Sequence, residues 1–205
     1  HYQHVVDNQT QQAAKGWKHR GFREIHGSRW VLVGFGEIGR ETAKRAKAFG
    51  AHITAVRRGT SDEGLADRVV TQAQLPEVLP QADVVVLACA SNTATRDIAG
   101  AHFLSAMKEG SVLVNIARGD LVDEDALKAA LDAGRPEQAI LDVFNAEPPA
   151  RDSWVWTHPR VTLTPHTSNG GSGMRGRSEK NFFDNLDRMV KGAPLVNQVS
   201  RKDIV

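Results

Sequence analysis

The chain is short of the residues that hold a protein together from outside a folded core. It has a single cysteine in 205 residues, Cys89, so no disulfide closes within it, and a reducing, cytoplasmic setting is expected. No Cys or His residues stand at metal-ligand spacing, so no metal is expected. No apolar run approaches the length of a bilayer crossing and no signal-peptide pattern opens the chain, which argues against a membrane partner. Charge of one sign is scarce too. The 26 Lys and Arg against 24 Asp and Glu leave a formal +2, too little to argue for nucleic acid as a main partner. What remains is a globular composition, 40% hydrophobic and 24% charged, that suits one large domain, or one domain with appendages.

Residues 1–27 open with a polar, glutamine-rich stretch that can bury little of itself, and they read as an arm or linker helix. Short apolar runs then appear at residues 30–33, 52–56, 68–70, 83–88, 112–116, 139–143 and 161–163. Amphipathic segments lie between them, among them 38–49, 101–107 and 124–133. Apolar strands separated by helices imply parallel pairing with both faces covered. Residues 28–168 are therefore expected to form an α/β, doubly wound, Rossmann-type sheet. Gly50, Gly110 and Gly134 are placed to close helices, and Asp123 to cap the helix that follows it. Residues 169–205 carry a C-terminal helix, 173–190, with Phe182, Phe183, Leu186 and Met189 in an apolar stripe.

The first apolar run passes into Gly34-Phe35-Gly36-Glu37-Ile38-Gly39, a G-x-G-x-x-G loop between a strand and a helix. In a dinucleotide site the first glycine permits the tight turn and the second admits a pyrophosphate. The third lets helix pack on strand. The helix start at Glu37 and Ile38 offers unpaired N–H groups and a positive dipole end. About 20 residues on, where NAD-binding chains place an acid, this chain has Arg57-Arg58. Arginines cannot accept a hydrogen bond from a ribose hydroxyl but suit a 2′-phosphate, so NADP(H) is the expected cofactor, with NAD(H) the alternative.

Ligands of such sheets bind beyond the carboxyl ends of the strands. Arg118, Glu147 and His166 all follow apolar runs and so fall at that one edge. The segments Asn115-Ile116-Ala117-Arg118-Gly119, Leu141-Asp142-Val143-Phe144 with Glu147-Pro148, and Thr164-Pro165-His166 join the glycine loop in a fixed order. In order and spacing these four motifs resemble the D-2-hydroxyacid dehydrogenases, and among them the glyoxylate and hydroxypyruvate reductases. The resemblance implies a small 2-keto or 2-hydroxy acid substrate, whose carboxylate Arg118 would bind while polarising the carbonyl. His166 would be the general acid/base and Glu147 its charge partner, favouring the protonated ring. Asp142 would sit beside the nicotinamide carboxamide, and Ile116 and Ala117 would line the cofactor. Cys89, after the fourth apolar run, falls on the cofactor side but has no feature to activate it, and reads as structural.

The resemblance implies a substrate domain, most of which precedes the cofactor domain, and that domain is expected to lie largely outside this sequence. The segment that returns to that domain is present at 173–190. The expected reading is the cofactor-binding part of a longer enzyme, weak or inactive alone, with a homodimer as the expected assembly. A non-catalytic dinucleotide sensor or interaction module of the same fold is the competing reading.

Overall fold

Valine, leucine and isoleucine runs build the sheet. The computed structural model describes residues 2–59 and 64–198. Its strands are β1 (Arg29–Val33), β2 (His52–Val56), β3 (Arg68–Val70), β4 (Val84–Leu87), β5 (Val112–Asn115), β6 (Gln138–Leu141) and β7 (Val161–Leu163). All pair in parallel, in the order β3-β2-β1-β4-β5-β6-β7. The order reverses between β1 and β4, so the loops after these two strands diverge and leave a crevice at their carboxyl ends.

The helices are α1 (Val5–Ala13), α2 (Glu37–Ala48), α3 (Leu75–Val78), α4 (Ala101–Ala106), α5 (Glu124–Asp132) and α6 (Met174–Val190). One face of the sheet is closed by α3, α4 and α5, whose Leu75, Leu104, Leu127 and Leu131 share a core with Val85, Leu87 and Leu113. On the other face the small side chains Ala43 and Ala46 of α2 meet Leu32, Ile53 and Ala55. Small residues let this helix lie close to the strands that aim it. Further along that face, Trp30, Val84, Val112, Val114 and Ile140 floor an open groove rimmed by Tyr2 and Phe22.

Two of the three glycines end helices as expected. Gly50 and Gly134 have φ of 82° and 84° just beyond α2 and α5, a conformation that glycine adopts without strain. Gly110 does not cap α4, which already ends at Met107 in extended geometry. It serves instead the turn in which the Ser111 N–H donates to the Lys108 carbonyl. Asp123 caps α5, accepting from the Ala126 N–H at 3.0 Å.

The terminal elements stand apart. Neither α1 nor α6 buries a residue, and Phe182, Phe183 and Met189 are 64%, 62% and 63% exposed. Among the described residues no helix is long and apolar enough to cross a membrane. His1 of the expected arm, and residues 199–205 of the expected C-terminal segment, lie outside the described residues.

Candidate active site

The glycine loop is held at two of its glycines by contacts that exclude a side chain. Gly34 has φ of 98°, and a Cβ there would lie 2.5 Å from the Cys89 nitrogen. A Cβ on Gly39 would lie 2.3 Å from the Gly34 carbonyl oxygen. A Cβ on Gly36 would meet nothing within 4 Å. The loop is thus closed against protein on two sides and open on the third, at the first turn of α2. That open cradle, at a helix N-terminus with no side-chain cap, fits the diphosphate of a dinucleotide.

The parallel register sets Val33 opposite Val56, so Arg57 and Arg58 leave β2 alongside the glycine loop. Glu37, on the first turn of α2, pairs with Arg40. The half-buried Cys89 follows β4 across the crevice, and burial pushes its thiol up from the ordinary range. It is therefore a weak nucleophile.

At the far side of the same edge the chain builds a histidine–carboxylate pair. Just beyond β7, His166 adopts φ of 51°. Its N–H donates to the Asp142 carbonyl at 2.9 Å, tying the turn to the end of β6. The ring Nδ1 lies 2.7 Å from Glu147 Oε2. Glu147 Oε1 accepts from the Phe144 N–H at 3.0 Å. The hydrogen bond from His166, then that from Phe144, holds the Glu147 carboxyl below its usual range. One carboxylate thus fixes the ring through Nδ1, while Nε2 takes no hydrogen bond among the described residues.

Arg118 follows β5 in extended backbone, φ −144° and ψ 147°. Its guanidinium is exposed, donates to the neighbouring Ala117 carbonyl at 2.6 Å, and pairs with no carboxylate among the described residues. Gly119 seats this loop on the next one, since a Cβ there would lie 2.0 Å from the Phe144 carbonyl. Ile116 and Ala117 are partly buried at the strand end.

Two buried polar residues have structural roles that the sequence reading missed. Asn115, 1% exposed, donates through Nδ2 to the Arg118 carbonyl at 2.8 Å and accepts through Oδ1 from the Ala117 N–H at 3.1 Å. Asp142, expected only beside the cofactor, accepts from the Thr164 hydroxyl and from the Thr167 and Ser168 N–H groups. Burial raises its carboxyl, but these bonds outweigh burial and leave it at about 2. Each is a lone polar residue ending an apolar strand, and that is a signal, because a buried polar group needs partners.

Residues 1–168 match the family described as D-isomer specific 2-hydroxyacid dehydrogenase, NAD binding domain. The chain belongs to this family. The 4-methyl-2-oxopentanoate reductase A of Aspergillus oryzae is 42% identical over 177 residues, 86% of this chain and 53% of that protein. A D-isomer specific 2-hydroxyacid dehydrogenase family protein from Aeromonas salmonicida superposes with a TM-score of 0.88 at 29% identity, covering 97% of this chain and 64% of that one. The D-isomer specific 2-hydroxyacid dehydrogenase of Xanthobacter autotrophicus, solved with NADPH and MES, gives a TM-score of 0.86 at 27% identity, over 98% of this chain and 83% of that one. The present chain spans about half the length of the Aspergillus reductase. The glycine loop at residues 34–39 lies within the residues matched to that NAD binding domain.

Proposed function

We propose that the protein is an oxidoreductase that interconverts a 2-keto acid and a D-2-hydroxy acid, using NADP(H) in preference to NAD(H). The observation that carries this reading is the His166–Glu147 pair, 2.7 Å apart, at the edge of a sheet whose glycine loop fits a dinucleotide. The nicotinamide, when bound, supplies or takes the hydride.

The chain's residues do the rest. The loop from Gly34 to Gly39 takes the diphosphate on the free N–H groups of Glu37 and Ile38. Arg57 and Arg58 take the 2′-phosphate, and the Xanthobacter relative solved with NADPH supports that choice. Cys89, Ile116 and Ala117 line the nicotinamide side, and Asp142 anchors the turn that carries His166. Arg118 offers a planar fork to the substrate carboxylate and steadies negative charge growing on the carbonyl oxygen. His166, protonated and held through Nδ1, gives the proton at Nε2 to that oxygen in reduction and recovers it in oxidation. Glu147 keeps the ring oriented through Nδ1 in both directions and balances its charge while it carries the proton.

Glyoxylate, hydroxypyruvate and larger 2-keto acids are the candidate substrates. The name of the Aspergillus relative favours a branched one. The exposed stripe on α6 and the open groove over Trp30 support a homodimer, and the lone thiol supports a reducing, cytoplasmic setting.

The test titrates the purified chain with NADPH and NADH, then adds a panel of 2-keto acids. NADPH preference lost in Arg57→Ala/Arg58→Ala, with turnover lost but NADPH binding kept in His166→Ala, is the expected result. Equal binding of both cofactors refutes the arginine assignment. NADPH binding without turnover of any 2-keto acid, by this chain and equally by a form completed with the family's substrate domain, favours the non-catalytic module. Turnover that appears only in the completed form marks the chain as the cofactor-binding part of a longer enzyme.

A further inference from the structure

We propose that Glu37 opposes the cofactor it sits beside. Its carboxylate occupies Arg40, and Arg40 leaves it for the diphosphate when the dinucleotide binds. The inference rests on the dinucleotide reading above. Glu37 is the first residue of α2, whose N-cap is Gly36 and whose end no side chain caps. The first N–H groups of a helix lack intrahelical acceptors and, with the helix dipole, draw an anion to that spot. Among the described residues no side-chain hydrogen bond answers that pull, and the Glu37 carboxylate on the same turn pairs with Arg40 instead.

The same carboxylate holds Arg40, and the two side chains differ in exposure, 71% for Glu37 against 25% for Arg40. Side chains on a helix lean toward its N-terminus, so the guanidinium is carried to the rim of the cradle. A diphosphate arriving over Gly36, where the space is open, meets one charge that repels it and one cation already engaged. The exposed carboxylate is free to swing into solvent, and the planar guanidinium fork fits phosphate oxygens. Glu37 therefore weakens binding and speeds release, a useful property where cofactor or product release limits turnover.

The test compares NADPH titrations of the wild-type chain, Glu37→Gln and Arg40→Gln. Adenosine 2′-monophosphate, which lacks the diphosphate, serves as a second probe. Glu37→Gln should tighten NADPH by about fivefold to tenfold at low salt, with the gain shrinking as salt rises. Arg40→Gln should weaken NADPH by about tenfold, and neither variant should change the affinity for the monophosphate probe. Unchanged or weaker NADPH binding by Glu37→Gln overturns the proposal while leaving the dinucleotide site standing. Equal tightening of both probes overturns it as well, because the effect is then one of overall charge. If the wild-type chain binds neither NADPH nor NADH, the dinucleotide reading fails and this inference fails with it.

Discussion

Replacing Asp142 with asparagine keeps the shape of the side chain and removes its charge. The carboxylate is 3% exposed. Oδ1 accepts from the Thr164 hydroxyl at 2.5 Å and the Thr167 N–H at 2.9 Å, and Oδ2 from the Ser168 N–H at 2.9 Å. Burial opposes the charge, but these bonds win and bring the group from 3.8 to about 2. A folded-state value below the unfolded one stabilises the fold above the unfolded value. That stability is lost as pH falls from about 4 to about 2. At 1.36 kcal/mol per unit the share is about 2 kcal/mol at neutral pH. Asparagine also turns a donor NH2 toward an N–H, leaving buried groups unpaired at about 1–3 kcal/mol more. Asp142→Asn should therefore cost about 3–5 kcal/mol near neutral pH, or about 10 °C in midpoint for a domain of this size. Urea unfolding of both proteins, followed by tryptophan fluorescence, is measured at neutral pH and near pH 2.5. The wild type gives up most of its share in acid and the variant has none to lose, so the gap should narrow by about 1.5–2 kcal/mol. A gap of the same size at both pH values refutes the reasoning.

Two further substitutions probe the loops. Gly39→Ala drives a Cβ to 2.3 Å from the Gly34 carbonyl oxygen, which is backbone with little room to move. It should weaken NADPH binding at least about tenfold and destabilise the chain by about 1–3 kcal/mol, checked by titration and thermal unfolding; wild-type affinity would contradict the tight cradle. Asn115→Asp sets a carboxylate oxygen against the Arg118 carbonyl that Nδ2 now serves at 2.8 Å. It should destabilise by about 3 kcal/mol at neutral pH. The loss should shrink in acid as the new carboxyl gains a proton to donate, and urea midpoints across pH check this.

Much of the architecture is legible because parallel α/β sheets leave little freedom. A buried parallel strand must be apolar on both faces, so each strand announces itself as a run, and the observed strands differ from the expected ones only at their ends. The glycine loop is legible for a steric reason, since two of its glycines sit where a Cβ cannot. The segment between β3 and β4 is not. There a 3-10 turn at Gln72–Gln74, the four-residue α3 and a second 3-10 turn at Leu79–Gln81 follow one another. None is long enough for its periodicity to stand out, and Pro76 and Pro80 break the pattern. Gly110 misled because a glycine after a helix marks either its cap or a later turn, and only the Met107 backbone decides between them. That Asp142 needs partners was legible, but which residues supply them was not. Its partners Thr164, Thr167 and Ser168 lie more than 20 residues downstream and face it only once β7 has paired with β6.

The candidate site is also tied together by the chain's own hydrogen bonds and close packing. Gly119 rests on the Phe144 backbone, and the Asn145 N–H donates to Glu124 Oε1 at the start of α5. The Phe144 N–H donates to Glu147, Glu147 holds His166, and the His166 N–H returns to Asp142. The loops after β5, β6 and β7 are therefore joined by backbone groups, and the histidine takes its orientation from the chain itself. Groups fixed in advance need no reorganisation as charge develops, which is where electrostatic catalysis gains most. Arg118 is the exception. Its backbone is clamped by Asn115, yet among the described residues its guanidinium reaches only the carbonyl next to it. On the proposed function, that is the group left for the substrate to order. The carboxylate of a 2-keto acid would bring the fork into register, so Arg118→Lys, which keeps the charge but loses the fork, should raise KM far more than it lowers NADPH affinity. Equal losses in both would mean that Arg118 serves the cofactor site rather than the substrate.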